Sequence, residues 1–325
     1  KRNACSMKSI GGFFSLELSH STWGERYPKA IKLNSGRSCL EYILIARKYK
    51  KVWLPYYTCE AILQPITRNG VEYGFYHIDK DFHISDRVQV GSDEVLIYTD
   101  YFGLMDDYAS EVAYEYSPNV ILDNTQAFYT RPRRNTDVFN TCRKYFGVSD
   151  GAYLFTDAKL DIDIPQDYSR DRMKAILDRL DRSPEEAFQE YHDSEESLST
   201  CGMRTMSKLT QRMMDSIDYT DVANRRLRNF YQLDKALASS NEMHFSINCD
   251  TIPMVYPYYC HQKGLREHLI RNKIYVAKYW PNVTDWAGKD SFEADLAEYL
   301  LPLPIDQRYG KEEMDFIINV IKNFQ

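Results

Sequence analysis

The chain has 325 residues, 43% of them hydrophobic, so it can bury a full core and form one large and one small domain. Its formal net charge of −6 and pI of about 5.7 argue against general nucleic-acid binding, which needs a basic face. No apolar run is long enough to span a bilayer, so we expect no membrane partner.

The cysteines and the first residues bear on localisation. The seven cysteines are scattered, with no CxxC pair and no metal-ligand spacing. The first residues lack the apolar core of a signal peptide. This pattern is typical of reduced thiols, so we expect a cytoplasmic protein without a bound metal.

The first element is a short apolar segment at residues 30–33 that leads into Asn34-Ser35-Gly36-Arg37-Ser38 and a helix. Backbone N–H groups at a helix start bind phosphate, and a glycine allows the backbone to approach a ligand closely. An ordinary serine or asparagine cap is the competing interpretation.

Strands and helices then alternate. Residues 51–59 indicate a strand and its exit loop, 60–69 a helix, and 71–78 another strand. Residues 94–103 indicate a strand entering a loop, followed by a helix over 105–116. The alternation predicts an α/β fold with a mainly parallel sheet flanked by helices.

Two stretches carry the chemistry. The apolar run at 120–122 ends in Asp123, as in a buried strand that presents an acid to a crevice. Lys144 follows in a segment rich in small and turn residues. A strand-end aspartate and a loop lysine are the groups that pyridoxal phosphate (PLP) requires, the lysine for a Schiff base and the aspartate for the ring nitrogen. A helix cap and a solvated lysine are the alternatives.

The rest of the chain shows no further chemistry. Residues 156–198 are charged and predict a helical cover or dimer arm, and residues 218–233 predict a long helix. From residue 245 the pattern becomes α+β. We therefore predict a large domain over 1–229 and a small C-terminal α+β domain over 230–325.

Taken in order, the motifs resemble the DegT/DnrJ/StrS family of PLP-dependent sugar aminotransferases of fold type I. The matching stretches run along nearly the whole chain: Gly11-Gly12-Phe13-Phe14, Ser35-Gly36-Arg37-Ser38, Leu54-Pro55-Tyr56-Tyr57-Thr58, Tyr101-Phe102-Gly103, Asp123-Asn124-Thr125-Gln126-Ala127, Arg143-Lys144, Asp150-Gly151-Ala152 and Leu303-Pro304-Ile305-Asp306-Gln307.

The resemblance implies a set of site residues. Lys144 and Asp123 would be catalytic, with the cofactor also bound by Ser35, Gly36, Arg37, Ser38, Tyr57, Cys59, Gln126 and Thr141. Asn140 is the second candidate for the phosphate contact of Thr141. Cys59 stands where the family has an aromatic residue that stacks on the ring, so the alternatives are that Tyr56 or Tyr57 supplies the ring face or that stacking is weak.

The same resemblance implies the function. We expect an aminotransferase that moves an amino group from glutamate or glutamine to a keto sugar, nucleotide-linked, for polysaccharide or secondary-metabolite biosynthesis. Alternatives are a sugar dehydratase, which Lys144 disfavours because such relatives carry histidine there, and a PLP-binding regulator without catalysis. The family's N-terminal segment lies over the active site.

A homodimer is also implied. The family stretch that reaches the neighbouring subunit's phosphate corresponds to residues 203–209, but its usual asparagine and arginine are Met203 and Thr205, with Arg204 between them. The aromatic segments 56–57 and 98–102 would be costly to expose as one patch, which also favours a covering subunit.

Overall fold

A computed structural model describes residues 14–22, 24–248 and 250–324, and a seven-stranded sheet organises the first half of the chain. The strands are β1 (Ile31–Leu33), β2 (Lys51–Pro55), β3 (Glu72–Tyr76), β4 (Glu94–Thr99), β5 (Val120–Asn124), β6 (Asp137–Thr141) and β7 (Ala152–Phe155). Their order across the sheet is β1-β7-β6-β5-β4-β2-β3. β7 runs antiparallel to both neighbours, and all other neighbours are parallel, so the predicted mainly parallel sheet is confirmed.

Helices flank this sheet and fill the second half of the chain. Those within the described residues are α1 (Gly36–Arg47), α2 (Leu63–Arg68), α3 (Asp106–Glu115), α4 (Lys174–Asp181), α5 (Phe188–Thr200), α6 (Lys208–Asp215), α7 (Tyr219–Leu237), α8 (Leu265–Arg271), α9 (Val283–Ala287), α10 (Phe292–Tyr299) and α11 (Lys311–Lys322). Short 3-10 segments cover Glu60–Ile62, Tyr101–Gly103, Arg170–Met173 and Ala238–Ser240.

The central strands bury both faces, as their continuous apolar runs predict. In β5, Ile121 packs in the core formed with α1 and α2, whereas Val120 and Leu122 pack in the core formed with α3. Because side chains alternate along a strand, Asp123 lies on the same face as Ile121. The sheet therefore directs the strand-end acid toward the start of α1.

A further core lies in the C-terminal part of the chain. The antiparallel strands β8 (Val255–Tyr259) and β9 (Leu300–Pro304) place Pro257 opposite Pro302. Both prolines are tolerated because a two-stranded sheet has only edge strands. Helices α7, α8 and α11 pack against this pair.

Helix α7 contributes to the C-terminal core and to another cluster of buried residues around the lysine segment. Tyr219 and Val222, near its start, pack with residues that surround the lysine segment, whereas Phe230 and Leu233 pack with the β8–β9 pair. The domain boundary predicted between residues 229 and 230 falls inside this helix, so the division into two domains stays a prediction.

The charged stretch 156–198 contains α4 and most of α5, and it covers the lysine segment. Only Leu198 is buried among the 13 residues of α5. Residues 274–280, predicted as a strand or extended segment, belong to none of the described strands or helices.

The aromatic segments that favoured a covering subunit are buried within the chain itself. Tyr57, Tyr98, Tyr101 and Phe102 are fully buried, and Tyr56 stacks on Phe75 with ring centroids 4.9 Å apart. The expectation that they would form an exposed patch is wrong, because the aromatic side chains pack on one another beside the sheet.

Candidate cofactor site

Asp123 lies at the end of β5, on the face covered by α1. Its side chain is almost fully buried, and Oδ1 accepts a hydrogen bond from the Thr125 N–H at 2.8 Å. Burial raises the pKa of this carboxyl, while the charge of Lys144 and the hydrogen bonds from Thr125 lower it. The buried carboxylate of Asp123 thus lies near the ammonium of Lys144, a residue that is exposed.

Lys144 follows β6 in a tight turn. The N–H groups of Tyr145 and Phe146 both donate to the Cys142 carbonyl, at 3.1 and 2.9 Å. The Lys144 Nζ donates to Thr125 Oγ1 at 3.2 Å, so Thr125 contacts both charged groups of the site. Although Lys144 is exposed, desolvation by the surrounding residues lowers its pKa and the Asp123 charge raises it; the net direction is a lowered pKa. This lysine therefore gives up its proton more readily than a solvated one.

The segment after Lys144 is held at the carbonyl of Tyr145. Gln307 Nε2 donates to this oxygen at 2.7 Å, and Arg226 Nη2 at 3.3 Å. The Arg226 guanidinium also lies over the Tyr145 ring, 4.4 Å from its centroid. Contacts from the C-terminal half of the chain thus fix the backbone next to Lys144.

The start of α1 lies opposite the lysine. Ser35 caps the helix, since its Oγ accepts the Ser38 N–H at 3.2 Å, and no acidic side chain occupies the first turn. A Cβ atom at Gly36 would lie 3.1 Å from the Thr125 Cγ2, so the glycine permits a close approach between helix and strand end. Arg37 donates to Gln64 Oε1 at 3.3 Å.

These groups enclose a pocket of about 210 Å³. Seven residues predicted from the sequence line it: Ser35, Gly36, Arg37, Cys59, Asp123, Thr141 and Lys144. Thr141 Oγ1 accepts the Arg143 N–H at 3.4 Å and donates to the Gly151 carbonyl at 3.2 Å. The structure therefore brings the predicted lysine, aspartate and helix start together in one place.

Three predicted residues do not line this pocket. Ser38 donates to Asn34 Oδ1 at 2.6 Å, and Gln126 Oε1 accepts the Phe102 N–H at 2.8 Å. Tyr57 is fully buried in the aromatic cluster, with a ring-centroid distance of 5.1 Å to Trp280. The contact of Ser38 is local, whereas Gln126 and Tyr57 are engaged by tertiary contacts that local sequence does not reveal.

The two further candidates from the sequence also lie outside the pocket lining. The Asn140 Nδ2 donates to the Phe128 carbonyl at 3.5 Å. Tyr56 packs between Phe75 and His77. Cys59, Ala61 and Ile62 line the pocket where a ring face was expected from Tyr56 or Tyr57.

Sequence reasoning missed several lining residues. Thr58 and Thr125 stand inside matched motifs, so their motif positions were the available signal. Arg143 was noted beside the lysine but not assigned to the site. Glu195 comes from α5, forms an ion pair with Arg143 and had no local signal.

The segment 203–209 is bound to the edge of the large sheet. Met206 N–H donates to the Lys32 carbonyl at 3.0 Å, and Asn34 N–H donates to the Arg204 carbonyl at 2.9 Å. Thr205 exchanges backbone hydrogen bonds with the extended segment at residues 165–167. Its contact with a neighbouring subunit stays a prediction. Gly11, Gly12 and Phe13 of the N-terminal motif lie outside the described residues.

The side chains present fit PLP. The helix start of α1 and Arg37 are donors for a phosphate, and a Cβ at Gly36 would crowd the helix start. The Thr141 hydroxyl lines the same pocket and could donate to the phosphate in place of the Gly151 carbonyl. A buried carboxylate and a lysine with a lowered pKa complete the donor set. The pocket walls Leu40, Ile62 and Phe139 are apolar, as a planar ring requires.

Comparisons with known proteins identify the fold. No family model and no curated protein matches the sequence. Among solved structures, the chain is similar to a sugar aminotransferase of Streptococcus pneumoniae in its PLP form, with a TM-score of 0.64 and 16% identity over 91% of this chain and 86% of that one. It is also similar to a DegT DnrJ EryC1 StrS aminotransferase of Brucella abortus, with a TM-score of 0.58 and 16% identity over 91% and 85% of the two chains.

A third structure is that of DesI in the presence of its TDP-sugar product. The TM-score is 0.63 and the identity 15%, over 90% of this chain and 79% of that one. At such identities the likeness shows the fold, and that fold is the one of the DegT/DnrJ/StrS sugar aminotransferases. None of the helices in the described part of the chain is long and apolar enough to cross a membrane.

Proposed function

We propose that this protein is a PLP-dependent aminotransferase that moves an amino group from glutamate or glutamine to a nucleotide-linked keto sugar. One observation carries the proposal: Lys144, the buried Asp123 and the start of α1 line a single pocket. The shared fold with sugar aminotransferases supports it.

The phosphate of the cofactor would bind at the start of α1. Unpaired N–H groups and the positive end of the helix dipole favour an anion there, by about 0.3–1 kcal/mol per charge at exposed sites. Ser35, Gly36 and Arg37 line this end of the pocket, and Thr141 adds a hydroxyl. Asp123 would hold the pyridine nitrogen protonated, because its carboxylate is the buried acid of the pocket.

When bound, PLP supplies an electron sink for the carbon that carries the amino group. Lys144 would attach the cofactor and later move a proton at its Nζ. Its lowered pKa favours this role, because a general base works best when its pKa lies near the working pH. Thr125 Oγ1 orients the Nζ through their hydrogen bond.

Cys59 and Ile62 line the pocket at the position where the family has a stacking aromatic residue, and Phe139 is the aromatic side chain among the pocket walls. The change to cysteine replaces a stacking interaction by smaller apolar contacts. It is also the observation that favours the second candidate, a PLP-binding protein without catalysis.

The nucleotide-linked substrate and the homodimer are supported by separate observations. The TDP-sugar product of DesI supports a nucleotide-linked substrate. The product would be an amino sugar for polysaccharide or secondary-metabolite synthesis in the cytoplasm. A homodimer is supported by large exposed apolar side chains such as Phe14 (91% exposed) and Leu180 (82%).

The first test is cofactor binding. Purified protein mixed with PLP should show the absorbance of lysine-bound cofactor, and Lys144→Ala should lose it while keeping the far-UV circular dichroism of the wild type. Lys159→Ala, at an exposed lysine, is the matched control and should behave as wild type. Cofactor that can still be trapped by borohydride in Lys144→Ala would place the attachment at another lysine.

The second test is amino transfer. Labelled glutamate or glutamine, offered with a panel of nucleotide-linked keto sugars, should give a labelled amino sugar. Cofactor binding without any transfer across the panel would favour the non-catalytic candidate. Loss of a sugar hydroxyl without nitrogen incorporation would favour dehydration.

A further inference from the structure

A second cavity meets the cofactor pocket at Lys144. Its volume is about 520 Å³, within the range of about 300–1,000 Å³ that is usual for small-molecule sites. It lies between the lysine segment, helices α4 and α5, and residues 306–308. The two cavities share three lining residues, and these are Arg143, Lys144 and Glu195.

The charges of this cavity favour an anionic ligand. Its basic residues are Arg143, Lys144, Arg172, Arg226 and Arg308, and its acidic residues are Glu195 and Asp306. Asp306 already accepts two hydrogen bonds from Arg308, at 2.7 and 2.9 Å. Arg172 pairs with Asp167 at 2.7 Å. Because Asp306 and Asp167 pair with other arginines, Glu195 is the acidic partner of Arg143, the residue next to Lys144 in the chain.

Glu195 belongs to a helix, α5, whose residues are mostly exposed or half-buried. The other contacts that tie α5 to the cavity wall include a hydrogen bond from Ser194 Oγ to the Arg172 carbonyl, at 3.2 Å. Leu198 is the buried residue of the helix, and an ion pair of Glu190 with Lys174 lies on the surface. A shift of α5 would expose one buried apolar side chain of its own, Leu198, and would change its packing on α4 and residues 170–173.

We propose that Arg143 binds the carboxylate of the amino donor and that Glu195 occupies this position until the donor arrives. The inference rests on the proposed function. Replacing one carboxylate by another keeps Arg143 paired throughout, which avoids the cost of an unpaired charge at a mostly buried position. An arginine fork also suits a carboxylate in geometry.

The exchange would place the amino donor beside Lys144. Arg143 and Lys144 are adjacent and line both cavities, so a donor held by Arg143 lies where the lysine can reach its amino carbon. Release of Glu195 would also move a side chain that lines both cavities. Donor binding and access from one cavity to the other are thereby coupled.

The test titrates glutarate, a dicarboxylate without an amino group, into PLP-treated protein by calorimetry. Glu195→Gln should bind glutarate about 5- to 10-fold more tightly than wild type, because the competing carboxylate is gone. Arg143→Gln should bind it at least about 10-fold more weakly, and Arg143→Lys should fall between, since it keeps the charge but loses the fork. Glu190→Gln, on the same helix, is the matched control and should equal wild type.

Unchanged glutarate affinity in both Glu195→Gln and folded Arg143→Lys would overturn the proposal. If the nucleoside diphosphate TDP shows this pattern of affinities and glutarate does not, the anion belongs to the sugar nucleotide and the donor assignment is overturned. Cofactor absorbance on the same samples decides the proposed function separately. If cofactor absorbance is present but the glutarate affinities do not follow the expected order, only this inference fails. If cofactor absorbance is absent, the proposed function fails as well.

Discussion

Asp100 is a carboxylic acid fully buried at the end of β4, and replacing it by asparagine should change how stability depends on pH. Oδ1 accepts the Met105 N–H at 2.9 Å, and Oδ2 accepts the Thr130 hydroxyl at 3.0 Å. Burial raises the pKa of Asp100 to about 7, although both hydrogen bonds oppose the rise. The folded protein therefore holds a proton on this group over a range in which the unfolded chain has lost it.

The sign and size follow from linkage. The pKa in the unfolded chain is about 3.9, so below about pH 4 both states are protonated and the group costs nothing. As pH rises toward the folded pKa of about 7, the unfolded state binds fewer protons and stability falls. The full loss is about 4 kcal/mol, and about 3 kcal/mol of it falls between pH 5 and 8.

Asp100→Asn should remove this loss. An amide can accept from the Met105 N–H and donate to the Thr130 oxygen, so both hydrogen bonds survive. Calorimetry at pH 5 and 8 should show the melting temperature of the variant increasing relative to that of wild type as pH rises. The shift is roughly 2–4 °C per kcal/mol for somewhat shorter chains, which is an upper limit for this one. Wild-type and variant melting temperatures that change in parallel between pH 5 and 8 would refute the reasoning.

Four further outcomes are expected. Asp123→Asn should keep cofactor but transfer amino groups far more slowly in a stopped-flow assay, because an amide cannot hold the ring nitrogen protonated. Gly36→Val should raise the PLP dissociation constant more than Thr141→Val, since a side chain crowds the helix start whereas the lost hydroxyl removes one bond among several. His261→Gln should melt below wild type at pH 6 and match it at pH 9. Light scattering should give the mass of a dimer.

Each of these outcomes can be contradicted. Near-normal turnover in Asp123→Asn would remove it as the ring partner, and wild-type PLP affinity in Gly36→Val would move the phosphate elsewhere. A fully active monomer would remove the dimer.

The pH dependence at His261 has a specific cause. Partial burial lowers the pKa of His261, but its hydrogen bonds to Glu242 and Asp295 outweigh this and raise the pKa overall. The stabilisation is present below the unfolded value of about 6.5 and is lost as pH rises through the folded pKa. An equal difference in melting temperature between variant and wild type at pH 6 and pH 9 would contradict this assignment.

The features predictable from sequence were those fixed by neighbouring residues. The apolar run of β5 determined that Asp123 would end a buried strand, and Ser35 and Gly36 marked a helix start through cap chemistry. Lys144 lay in a loop because small and turn residues surround it. The sheet then brings these three places together, because strand ends of a parallel sheet share one edge.

The features that were missed depend on distant partners. Gln126 accepts the Phe102 N–H, and Tyr57 packs in an aromatic cluster built from separate strands and loops. Glu195 reaches Arg143 across 52 positions of sequence from a helix whose charged pattern resembles any solvated surface. Such contacts follow from the packed fold and leave no mark in a local pattern.

The continuity of α7 limits how the chain can be divided. A cut between residues 229 and 230 would sever the helix, leaving Tyr219 and Val222 on one fragment and Phe230 and Leu233 on the other. Neither piece would keep a complete helical face for its core, and Arg226 would stay with the first piece while Gln307 left with the second. Co-expressed halves should therefore fail to regain the lysine geometry, whereas a split in the exposed segment at residues 182–186 leaves α7 whole.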